Sequence, residues 1–124
     1  MSLGQRPIIT LLFMAALLAL SVVPGRAHEG DSFFIWAVAA TPSLLQKVMH
    51  VLLYAVLAFL WAWTLEAVGS MYLRLIVALS LAISFGGLME WAQTHIPGRY
   101  GALGDVLLNA AGAMLGLAAA ILLL

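Results

Sequence analysis

EWAQTHIPGRYGALGDVLLN, residues 90–109, is the stretch whose reading decides the fold. Glu90, Gln93, His95, Arg99, Asp105 and Asn109 fall within it, in a chain that is 65% hydrophobic and only 8% charged. The Pro97-Gly98 pair marks a turn, and apolar sequence runs away from it in both directions. Adding Lys47 and His50, the group holds four of the ten charged side chains. Such groups are costly inside a bilayer and line interiors, pathways or sites there. The stretch therefore reads as the link between two membrane helices, with candidate functional residues at its edges.

Composition supports that class. The chain has 124 residues, a formal net charge of zero and a mean hydropathy of +1.14. A soluble domain carries about 25% charged residues, so this chain lacks the polar surface that water requires. It is expected to be an integral membrane protein of one domain, and its neutrality argues against nucleic acid as a partner. The absence of cysteine excludes disulfides, iron–sulfur clusters and thiol catalysis, while leaving the redox compartment open.

Four apolar segments predict an all-α membrane protein, an up-down bundle of four transmembrane helices. The spans fall at about 7–23, 43–66, 71–94 and 103–124. Thr41 as N-cap with Pro42 at the first helical position opens the second, and Gly69 is its stop. A helix needs about 20 residues to cross the hydrocarbon core; the second, third and fourth segments pass easily, and the first is short. An alternative for that segment is a signal peptide cut after Ala27, following Arg6, an apolar run and small residues. Either way the segment after it lies outside the cytoplasm. Arg6 and Arg74 against Arg26 favour a cytoplasmic N-terminus, although counting Lys47 and Arg99 reverses the balance.

The 24–42 loop carries Arg26, His28, Glu29 and Asp31, then Phe33, Phe34, Ile35 and Trp36, which suit an interfacial anchor. Trp61, Trp63 and Tyr72 read as an aromatic belt at the other end, with Trp91 and Tyr100 as its counterpart. Glu66 and Arg74 flank the second loop and are expected in solvent, where a pair between them contributes little.

Helical spacing gathers the remaining polar groups. Lys47, His50 and Tyr54 share one face of the second span, and Glu90 and Gln93 one face of the third. Asp105, Asn109, Gly112 and Gly116 form a stripe on the fourth, whose two glycines admit a close neighbour. In an up-down bundle the first and third loops share a membrane face, so all these groups meet at one end. Lys47 near the positive end of its helix calls for a carboxylate, from Glu90 or Asp105. Arg99 can fork two hydrogen bonds to a carboxylate or phosphate, and Asp105 can alternatively cap the fourth helix.

The ordered set Lys47-x-x-His50-x-x-x-Tyr54, Glu90-x-x-Gln93, Pro97-Gly98-Arg99, Asp105-x-x-x-Asn109 and Gly112-x-x-x-Gly116 resembles the VanZ-like family, from about residue 46 onward. Members are small bacterial membrane proteins, generally of four or five helices. The family is named for a protein conferring low-level resistance to the glycopeptide teicoplanin. The resemblance implies a bacterial cytoplasmic membrane location and a cell-envelope role, but no particular reaction.

Three functions compete for the cluster formed by Lys47, His50, Tyr54, Glu90, Gln93, Arg99, Asp105 and Asn109. The preferred one is non-catalytic recognition of a polar headgroup, such as an anionic lipid-linked wall precursor, with no cofactor or metal. Its structural counterpart is a polar knot that fixes helix register. A metal-dependent hydrolase would use His50, Glu90, His95 and Asp105, but H-E-x-x-H is absent, and Ser80 and Ser84 lack a nucleophile context. A small transporter subunit lacks the paired repeats of secondary transporters. The partners expected are the lipid bilayer and that headgroup, with assembly into a homo-oligomer left open.

Overall fold

Continuous apolar sequence broken by Gly, Pro and Ser folds into helices joined at those breaks. The structure, a computed structural model, describes residues 4–21, 43–67, 69–93, 95 and 103–124. Among them are four helices and no strand: α1 (Arg6–Ser21), α2 (Ser43–Thr64), α3 (Met71–Gln93) and α4 (Leu103–Leu123). By length and composition, α2, α3 and α4 can each cross a membrane; α1 is a shorter apolar helix. The 24–42 loop with its aromatic cluster, Thr41, Pro42 and the Pro97-Gly98 turn lie outside the described residues.

Local chemistry sets the break between α2 and α3. Gly69 takes φ +40°, a left-handed conformation that side chains other than hydrogen resist. Ser70 follows as the N-cap of α3, its Oγ accepting from the Leu73 amide at 3.2 Å.

The interior is built from small residues. Ala58, Ala62, Ala78, Ala82, Ala113 and Ala120 are each wholly buried, filled in by Leu17, Tyr54, Leu57 and Leu117. Large side chains face outward instead, among them Leu52, Leu107, Met114 and Leu122. Lipid removes the penalty for that exposure, so helices associate through close backbone packing rather than by hiding leucine.

The closest approach joins α2 and α4. A Cβ at Gly112 would stand 2.9 Å from Val51 Cα, and one at Gly116 would stand 3.0 Å from Ala55 Cα. Both would fall closer still to the carbonyl oxygens of those residues. Matched steps of four on each helix make this a parallel, backbone-to-backbone contact, the geometry that a small-xxx-small stripe permits.

α1 is fastened to the far end of α2 by polar groups. Thr10, with no exposed surface, shares a 2.6 Å hydrogen bond with Thr64 Oγ1 and lies 3.3 Å from the Leu60 carbonyl. Arg6 pairs with Glu66, donates to the Trp63 carbonyl at 3.0 Å and lies 4.8 Å above the Trp63 ring.

Glu66 is exposed, as expected, and pairs with Arg6 rather than Arg74; Arg74 departs from the solvent-exposed reading. Arg74 is only 7% exposed, its Nη2 donating to Met71 Sδ at 3.2 Å and its Nε lacking an acceptor. The cause is register. Arg74, Ala78, Ala82, Gly86 and Glu90 recur every four residues and form the buried stripe of α3.

Candidate functional site

The buried stripe of α3 ends in polar residues where α2 and α4 begin. Glu90 and Gln93, 4% and 5% exposed, close that stripe, and both are engaged with neighbouring groups. His50 comes from the second turn of α2, Asp105 from the first turn of α4 and Asn109 one turn further on. Three helices thus deliver polar side chains to one end of the molecule.

His50 is the hub. Its Nδ1–H donates to Asn109 Oδ1 at 2.7 Å, and the same nitrogen stands 3.9 Å from Glu90 Oε1. Donation from Nδ1 leaves Nε2 as the nitrogen with a free lone pair in the neutral ring. The Tyr54 ring lies nearly parallel to that of His50, with centroids 6.4 Å apart, and Tyr54 is itself buried. One potential ligand atom from each of His50, Glu90 and Asp105 lies within 4.8 Å of the others.

Gly86 makes room for this assembly. A Cβ there would stand 3.0 Å from both Asn109 Nδ2 and Tyr54 Cε1, whereas Gly87 faces open space. Asn109 is 1% exposed, and its Nδ2 has no hydrogen-bond partner among the described residues. A buried donor without an acceptor is uncommon and costs about 1–3 kcal/mol. The amide therefore has capacity for an oxygen acceptor that the described residues do not supply.

The sequence-selected residues divide into three groups. His50, Tyr54, Glu90, Asp105 and Asn109 are brought together, with Gln93 one turn beyond Glu90 on the same helix. Lys47 starts from the same end but is exposed and forms no ion pair with Glu90 or Asp105. Arg99 lies outside the described residues. His95 stands apart from the convergent set: it is exposed, with Nδ1 3.2 Å from the Trp91 carbonyl and its ring 4.9 Å from the Trp91 ring.

Spacing alone did not single out Gly86 over Gly87, nor Thr10 and Arg6 as the fastening of α1. Gly86 was marked by its place four residues before Glu90 on the interior stripe. Thr10 was marked only by being the sole hydroxyl in the middle of an apolar run.

The family model described as VanZ/LLP1 matches residues 6–124, nearly the whole chain. No curated protein and no solved structure matches.

Proposed function

The chain belongs to the VanZ-like family, and from that premise we propose that its polar cluster recognises the headgroup of an anionic lipid-linked cell-wall precursor. The protein then acts in cell-envelope or teicoplanin-type glycopeptide tolerance, as an integral protein of the bacterial cytoplasmic membrane and without catalysis. α1 is a fourth span in an up-down bundle, the N-terminus is cytoplasmic, and the cluster opens to the outer face.

One observation carries the reading: polar side chains from three otherwise apolar helices converge at one end, beside an exposed lysine. In this account Lys47 and Arg99 meet the phosphate as it leaves the aqueous layer. His50, Gln93 and Asn109 orient sugar or amide groups, Asn109 through its unpartnered Nδ2. Glu90 and Asp105 accept from hydroxyl or amide donors. Charge-assisted bonds of this kind gain strength as water is excluded.

The test is expression in a teicoplanin-sensitive bacterium, comparing the parent with Lys47→Ala and Asp105→Asn at matched membrane levels. The expected result is tolerance from the parent and its loss in both variants. Tolerance undiminished by either substitution would sink the reading, as would a parent that confers none.

A further inference from the structure

We propose that His50, Glu90 and Asp105 form a divalent-cation site, with zinc or manganese the best match to its one nitrogen and two carboxylate donors. The inference stands on geometry and holds whether or not the cluster takes a headgroup.

The three donors come from three different helices, so no local turn or capping motif explains their meeting. Ligand atoms around a cation bonded at about 2.0–2.2 Å stand roughly 3–4.4 Å apart. The 4.8 Å envelope here closes onto that geometry with side-chain adjustments alone. Two carboxylates this close repel each other unless a proton or a cation lies between them. With Glu90 only 4% exposed, a divalent ion held by both carboxylates would offset the cost of keeping them charged.

A second observation points the same way. Metal-binding histidines characteristically donate their other ring N–H to a fixed oxygen, which holds the tautomer and the ring. His50 makes such a bond, Nδ1–H to Asn109 Oδ1 at 2.7 Å; because the same Nδ1 is the nitrogen 3.9 Å from Glu90 Oε1, loading requires the carboxylates to turn toward Nε2, which keeps the lone pair. Asn109 is nine-tenths buried and more, and its Nδ2 is left without an acceptor. That donor can take an oxygen completing the cation's shell. Asn109 is a positioning residue in this arrangement, acting through His50. His50 and Asp105 are half-buried, so the site keeps access to the surface of the described residues.

The experiment uses the full chain purified in detergent, stripped with chelator and dialysed against zinc or manganese alone. The readouts are bound metal per protein and the shift in Tm. The parent is expected to bind one equivalent of one of these ions and to melt at a higher temperature when loaded. Asp105→Asn and His50→Gln are expected to lose at least tenfold in affinity. Asn109→Ala should lose about 10–100-fold while keeping one-to-one stoichiometry, as removal of a metal-orienting residue does. Glu66→Gln, which removes a carboxylate at the opposite end, should leave binding unchanged. A stripped parent that binds neither ion stoichiometrically overturns the proposal. So does unchanged affinity in Asp105→Asn and His50→Gln, and Asp105, being half-buried, is the safer of the two for folding.

Discussion

His50 Nδ1 and Asn109 Oδ1 stand 2.7 Å apart, joining the start of α2 to the start of α4 just above the glycine seam at Gly112 and Gly116. The hydrogen bond and the seam act on the same helix pair, one by polarity and the other by backbone proximity. Removing either should have a distinct signature.

Asn109→Ala removes the acceptor of His50 without adding bulk. The expected loss is about 0.6–1.7 kcal/mol, the range for hydrogen bonds between transmembrane helices. Reversible unfolding in mixed micelles measures it. A loss beyond about 3 kcal/mol, the scale for breaking a buried ion pair, would mean that the contact carries the bundle rather than trims it.

Gly112→Ala places a methyl group against the Val51 backbone, which has no rotamer by which to yield. Overpacking of this kind costs about 1–3 kcal/mol. Gly87→Ala, where nothing lies within 4 Å, is the matched control. It should be neutral or gain up to about 1 kcal/mol from helix propensity. Equal effects from the two substitutions would contradict the seam.

At the other end, Thr10→Val tests the fastening of α1. Thr10 is fully buried and bonded to Thr64, so its loss should cost about 0.6–1.7 kcal/mol. Glu66→Gln breaks a pair whose carboxylate is 40% exposed, and screened pairs of that kind contribute about 0–1 kcal/mol. The threonine variant should therefore melt lower than the glutamine variant, and the reverse order would contradict the assignment.

Arg74 is a buried cation with a thioether, not a carboxylate, as its side-chain partner among the described residues. Replacing a costly buried charge by an apolar side chain of similar reach is often neutral or stabilising. Arg74→Met is expected to hold or raise Tm in detergent. A clear drop would show that Arg74 serves an anion that the intact bundle recruits.

Much of the architecture was legible from composition and spacing. The all-helical class and the spanning-length apolar helices follow from long uncharged runs, since a bilayer leaves few alternatives to helix. The ordered polar motifs led to the family that the near full-length match identifies. Register decided what sequence did not. Arg74 looks like a loop-flanking cation, yet it sits one step along the Ala78–Ala82–Gly86 stripe and is carried inward with it. Lys47 and His50 share a helix face by spacing, but the roughly 60° that three residues leave between them around the helix leaves one exposed and the other half-buried. His95 is of metal-ligand type but, beside the Pro97-Gly98 turn, reads as a loop residue. Its position past the end of α3 turns it onto Trp91.

On the proposed reading the cluster is kept for a ligand rather than for holding the helices together. Thermal stability of Glu90→Gln and Asp105→Asn in detergent, with chelator present, tests it most directly. Groups held ready for a ligand commonly cost stability, so the account predicts that both variants melt at or above the parent temperature. A loss of about 3–5 kcal/mol in both, as expected on breaking a buried structural pair, would contradict it and make the cluster a polar knot.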